Sequence, residues 1–190
     1  MSVIILTGIP GVGSSTVVKE ALRMMGDGSE SFRPVNFGDV MFEIAKEKHG
    51  IEHRDEMRKK LNVSEYEELQ REAAEKIGKM RNIIVDTHCS INVRGGYYPG
   101  LPARILEGIN PHAIIIVEAD IREIAKRRKK DAGIREREVN EEMIREHQEI
   151  NRYYAAAYSA ISGAPVFFVK NREGKLEETV GEIREIIEGL

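Results

Sequence analysis

Residues 8–16 read Gly-Ile-Pro-Gly-Val-Gly-Ser-Ser-Thr, directly after an apolar run and directly before a helix-forming segment. That spacing is close to G-x-x-x-x-G-K-[ST], in which glycines let the backbone turn its N–H groups inward around phosphate oxygens. The N-terminus of the following helix adds its dipole and free amides. Gly8, Ile9, Pro10, Gly11, Val12, Gly13, Ser14, Ser15 and Thr16 are therefore candidates for cradling a polyphosphate. The hydroxyl of Ser15 or of Thr16 would meet Mg²⁺ or a phosphate. Position 14 is Ser where the pattern has Lys, so the usual point charge is absent and must come from elsewhere. The bland alternative is a glycine-rich turn joining a strand to a helix.

Asp86 ends another apolar run, Ile83–Thr87, and is followed by His88. A carboxylate at the end of a buried strand beside a phosphate loop can hold a Mg²⁺ or its water; the alternative is a cap on the next segment. Arg54 and Arg58 lie four residues apart in a charged stretch read as a helix, His53–Lys60. On one face they would clamp a phosphate, or else they form an ordinary solvated face. From Arg122 to Arg137 eight Lys or Arg stand against three Asp or Glu, a local charge of +5. This cluster would cover a triphosphate or bind nucleic acid. An acidic neighbour, 139–149, and the lack of interleaved aromatics argue against nucleic acid.

These residues need elements to hold them. Val3–Thr7, Pro34–Phe37, Ile83–Thr87, Ala113–Glu118 and Pro165–Val169 are short runs rich in Val, Ile and Phe without polar alternation, the pattern of parallel strands covered on both faces. Helical segments separate them. Tyr66, Leu69, Ala73, Ile77 and Met80 recur at intervals of three and four, so one helix face is buried. Ser64 with Glu67, and Asp120 with Glu123, have the spacing of capping boxes. Long helices are expected over Met143–Ile161 and Leu176–Ile187. Strand and helix alternation implies an α/β fold with a mostly parallel sheet, ligands binding beyond the strand C-termini. Residues 39–80 and 127–140 fall outside that rhythm and read as inserts, and Gly95–Pro102 reads as a loop.

Composition bounds the answer. The chain has 190 residues, 41% hydrophobic and 32% charged, enough for one domain with a real core. A net charge of -3 excludes a generally basic nucleic-acid binder. The lone Cys89 excludes an internal disulfide and fits a reducing compartment. No apolar stretch is long enough for a membrane span, and the expected location is cytoplasmic.

Taken together, Thr7–Gly13, Val35–Met41, Arg54–Lys59, Asp86-Thr87-His88, Gly100-Leu101-Pro102, Arg135-Glu136-Arg137 and the run from Asn151 resemble the archaeal type of adenylate kinase over nearly the whole chain. The resemblance implies a P-loop nucleoside monophosphate kinase fold: a parallel five-stranded sheet flanked by helices, 39–80 as the monophosphate-binding insert and 127–140 as the lid. It implies ATP + AMP ⇌ 2 ADP with Mg²⁺. Asn36, Phe37, Gly38, Arg54 and Arg58 would lie beside AMP, and Asn171 near the ATP adenine. Ser15 and Asp86 would hold the metal, while Arg127, Arg135 and Arg137, with Arg58, would serve catalysis over the phosphates. Members of this type resemble homotrimers. Arg104 is a further candidate on the AMP side and Arg152 on the phosphate side. The sequence also admits two other readings. One is a kinase for a different monophosphate; the other is a nucleotide-controlled ATPase acting on RNA or ribosomal particles through residues 122–137.

Overall fold

The computed structural model describes residues 2–25, 32–131 and 140–190. Its central sheet has five parallel strands in the order β2-β3-β1-β6-β7. These are β1 (Val3–Thr7), β2 (Arg33–Asn36), β3 (Ile83–Thr87), β6 (Ala113–Glu118) and β7 (Val166–Lys170). Every residue of β1 is buried, as expected for a central strand with helices on both faces. Its side chains alternate between two cores. Val3 and Ile5 join Ile83, Val85, Ile114 and Ile116 on one face. Ile4 and Leu6 join Ile84, Ile115 and Val117 on the other. Each fully buried Ile or Leu stabilises the fold by about 1.5–3 kcal/mol relative to exposure.

The first core is covered by α2 (Phe37–His49), α4 (Val63–Gly78), α5 (Ala103–Ile109) and α7 (Glu141–Ser162). The second is covered by α1 (Ser14–Met25), α6 (Ile121–Asp131) and α8 (Leu176–Glu188), with Ile144 of α7 joining it. Leu69, Ala73 and Ile77 are buried, with Tyr66 and Met80 packed partly against them. Thus α4, although within the stretch read as an insert, seals the main core.

Several local expectations are corrected. Phe37 starts α2 instead of ending β2, because Asn36 caps that helix by accepting from the Asp39 amide. The helix α4 starts after Asn62, whose side chain accepts from the Glu65 amide while Glu65 reaches back to the Asn62 amide. Ser64 and Glu67 share the same spacing but fall inside the helix. Asp120 caps α6 through the Arg122 amide, yet Glu123 does not complete a box: its carboxylate is taken by Arg127 and by the Glu173 amide. His53–Lys60 is broken into a 3₁₀ turn, Arg54–Glu56, and a short α3, Met57–Lys60. The segment read as the loop Gly95–Pro102 contains β5 (Gly96–Pro99), paired antiparallel with β4 (Ser90–Val93). Among the described residues no helix is long and apolar enough to cross a membrane.

Candidate active site

A cleft of about 1080 Å³ opens beyond the C-terminal ends of β1, β2 and β3. One wall is the glycine loop: Gly8, Ile9, Pro10, Gly11, Gly13, Ser14, Ser15 and Thr16 all line it. Gly11 and Gly13 have φ of 97° and 87°, left-handed values that a side chain resists, so glycine is required where the loop curls. Val12 is fully buried and pins the loop to the core, and α1 begins at Ser14 with its free amides facing the curl.

The floor is set by β3. The Ser15 hydroxyl donates to Asp86 Oδ2 at 3.2 Å. Burial raises the Asp86 carboxyl above its ordinary range, opposed by hydrogen bonds from Ser15 and Asn36 and by the charge of His88. A carboxylate whose ionised form is penalised by burial, touching a hydroxyl at the loop's end, suits a hard divalent cation, which would restore the ionised form. Among the described residues no cluster of three His, Cys, Asp or Glu side chains is built to hold a metal. Mg²⁺ fits such a site because it takes its remaining ligands from phosphate and water. His88, Thr87, Ile91 and Gly100 complete the floor.

The opposite wall comes from α2, the Arg54 turn, α3 and α4. Arg54 Nη1 pairs with Asp39 Oδ1 at 2.6 Å and its Nη2 donates to Asn36 Oδ1 at 3.1 Å. The guanidinium thus lies across the start of α2. It fits there because residue 38 is glycine: a Cβ would sit 1.8 Å from Arg54 Nη2. Arg58 lines the same wall, its Nε donating to the Tyr66 hydroxyl at 3.5 Å. Although the charged stretch is not one helix, Arg54 and Arg58 still face one cleft. Phe37 lines it too, but is 6% exposed and belongs mainly to the core.

Arg127 enters from α6 and lines the cleft wall. Arg135 and Arg137 lie outside the described residues, as does most of the expected lid. Asn171 follows β7 and is 7% exposed; it donates to the Val12 carbonyl at 2.8 Å and holds the loop, without lining the cleft. Two further candidates are corrected. Arg104 turns to Glu67 and Gln70 of α4, and Arg152 pairs with Glu118 over the Phe168 ring; neither reaches the cleft. Met41, Met57, Tyr66 and Gln70 of the wall and Ile91 of the floor are lining residues that the sequence does not assign to the site. Tyr66 was visible only as part of an apolar stripe, and Gln70 follows the core residue Leu69 with no marker of its own.

A family model described as an AAA domain matches residues 7–145. The adenylate kinase of Methanopyrus kandleri is 47% identical, covering 99% of this chain and 98% of its own length. The adenylate kinase of Thermoplasma volcanium is 46% identical over 96% of this chain and 98% of its own. Among solved structures, the shikimate kinase of Acinetobacter baumannii aligns with a TM-score of 0.63 at 13% identity, covering 100% of this chain and 94% of its own, a likeness of fold alone. Near-complete relatives at that identity, on a phosphate loop facing two arginines across one cleft, show that the chain belongs to the adenylate kinase family.

Proposed function

We propose that the protein catalyses reversible phosphoryl transfer, ATP + AMP ⇌ 2 ADP, with Mg²⁺. The observation that carries this reading is the cleft itself, in which a phosphate loop and a second cationic site, Arg54 with Arg58, face a shared floor at Asp86. ATP phosphates would sit in the loop of Gly8–Thr16, with Asn171 holding that loop in shape. AMP would lie against Asn36, Phe37 and Gly38, its phosphate toward Arg54 and Arg58. Ser15 and Asp86 would hold Mg²⁺, which when bound neutralises charge shared between phosphates.

Phosphoryl transfer needs in-line alignment and electrostatic stabilisation more than covalent help. The loop amides orient the donor, the two arginines orient the acceptor, and Arg127 adds charge at the loop. Residues 39–80 serve as the monophosphate-binding insert and 127–140 as a lid. In this reading Arg135 and Arg137, which lie outside the described residues, would come over the phosphates and help exclude water, which would otherwise accept the phosphoryl group. The family resemblance supports a homotrimer as the assembly.

The test is a coupled assay of ADP formation from ATP with each of AMP, CMP, UMP and GMP, and with none. AMP-dependent turnover with preference for AMP is expected. Preference for another monophosphate would move the acceptor class, and ATP consumption without any monophosphate would replace the reading with an ATPase.

A further inference from the structure

Beyond its arginines, the acceptor side of the cleft carries apolar lining. Met41 and Met57 are buried there, and Tyr66 and Ile91 are half-buried. Such side chains suit the faces of a nucleobase, but the choice between bases falls to the few polar groups among them. Among the described residues two side-chain amides line the cleft, Asn36 and Gln70. The Asn36 oxygen is taken twice, by the Asp39 amide at 3.2 Å and by Arg54 Nη2 at 3.1 Å. Gln70 is held differently. Arg104 Nη2, which pairs with Glu67 Oε1 at 3.2 Å, also donates to Gln70 Oε1 at 3.5 Å. A guanidinium only donates, so the oxygen of the amide must be the end that faces it. Among the described residues the Gln70 nitrogen has no partner. Tyr66, whose hydroxyl takes Arg58 Nε, precedes Gln70 by four residues on the same face of α4, a rise of about 6 Å. The amide thus stands beyond the anchor of a phosphate-binding arginine, as a base stands beyond its phosphate. Arg104 is fixed from behind as the second residue of α5, which packs on α4 almost backbone to backbone. A Cβ on Gly78 of α4 would lie 2.1 Å from Gly108 O of α5.

We propose that Gln70 reads the edge of the acceptor base and that Arg104, a positioning residue acting through it, selects an adenine-type edge over a guanine-type edge. The assignment rests on the acceptor nucleotide lying against this wall. Adenine offers a donor, its 6-amino group, beside an acceptor, N1 or N7. An amide oxygen has two lone pairs, so Gln70 Oε1 can accept from Arg104 and from the 6-amino group while its nitrogen donates to the ring nitrogen. Guanine and hypoxanthine carry an oxygen at position 6 and a proton on N1, the reverse order. To match them the amide must turn over, which breaks the Arg104 bond and sets the NH2 against the guanidinium, donor to donor. A free glutamine would serve either edge; the guanidinium removes that choice.

The test compares AMP with inosine monophosphate, which has the same rings, sugar and phosphate but the reversed edge. For each, kcat/KM is measured at saturating ATP, and binding is measured by calorimetry. The parent should prefer AMP by about 10²-fold or more, since the wrong edge leaves polar groups of the site unpaired. Gln70→Glu presents acceptors only. Both nucleotides carry the same phosphate, so the added charge cancels in their ratio, and the preference for AMP should vanish or reverse. Arg104→Met keeps an unbranched stem and removes the donor, which frees the amide to turn. It should lower the preference about tenfold, the worth of one net hydrogen bond, with the KM for ATP moving far less. An arginine that only braced the two helices would weaken both monophosphates together and leave their ratio alone. A preference within about twofold of the parent's in either variant overturns the proposal. A parent chain that forms no ADP from ATP with any monophosphate refutes the kinase reading, while the ratio of the two binding constants in parent and variants still decides the Gln70 assignment.

Discussion

Arg58 shows how much one side chain's setting matters. It is exposed, and among the described residues its one side-chain hydrogen bond is from Nε to the Tyr66 hydroxyl. Arg54, by contrast, is already engaged by Asp39 and Asn36. An incoming phosphate would take up Arg58 with little to displace. Arg58→Ala should raise the KM for AMP about 10–100-fold, from losing a charge-assisted hydrogen bond of about 1.5–3 kcal/mol, with the KM for ATP far less affected. Tyr66→Phe, which removes only the anchoring hydroxyl, should raise it by less than about tenfold. Initial-rate kinetics with each nucleotide varied in turn distinguish the two; equal effects on both KM values would contradict the acceptor assignment. At this scale the sequence was informative where a motif has rigid spacing. Gly8–Thr16 all lie on or behind the loop wall, and Ser15 meets Asp86 across 71 residues of chain. It was silent on Gln70 and Ile91, because a side chain lining a cleft has no spacing rule. It misled on Arg104 and Arg152, because charge alone does not say which acidic neighbour claims it.

Among the elements, α7 ties the hairpin of β4 and β5 to the body. His147, Asn151, Tyr154 and Tyr158 recur along one helix face. His147 Nε2 is 3.0 Å from Ser90 Oγ, Ser90 donates to Asn151 Oδ1, Tyr154 donates to the Tyr97 carbonyl and Tyr158 to the Cys89 carbonyl. The Leu101 amide in turn donates to the Tyr158 hydroxyl, so the turn at Gly100, part of the cleft floor, hangs from this helix. His147 is 5% exposed, and burial lowers its pKa from 6.5 to about 4, with the positive charges of Arg128 and His88 adding to the effect. Between those values the unfolded chain holds a proton that the folded chain does not, so stability rises with pH there and falls as pH drops from 6.5 toward 4. The limiting slope is about 1.4 kcal/mol per pH unit for one group. Thermal unfolding across that range should show the parent losing stability faster than His147→Gln, and parallel curves would contradict the assignment. The hairpin illustrates what the sequence withheld. Its strands have four residues each, and Gly95-Gly96 with Tyr97-Tyr98-Pro99 reads as turn chemistry because the pairing partner and α7 are not local. The central strands β1 and β6 were legible because burial on both faces leaves a continuous apolar run. The start of α4 was not, since Asn62-x-x-Glu65 and Ser64-x-x-Glu67 satisfy the same rule and only the fold chooses between them.

For the whole molecule, the near-neutral charge hides a division of labour. Surface carboxylates pair with lysines and arginines around the exterior, as at Lys48–Glu72 and Arg184–Glu188. Arg54, Arg58 and Arg127 face a single cleft with the glycine loop, Arg54 and Arg127 while also paired with Asp39 and Glu123. Composition excludes a broad polyanion surface and says nothing of a small polyanion held inside. In the proposed reaction donor and acceptor nucleotides occupy this cleft together, phosphate toward phosphate. Calorimetric titration with two adenosines joined through five phosphates tests it most directly. One molecule should bind per chain, much tighter than ATP or AMP alone, strengthened by Mg²⁺ and weakened by Arg58→Ala. Binding no tighter than that of ATP, and indifferent to Arg58→Ala, would contradict it.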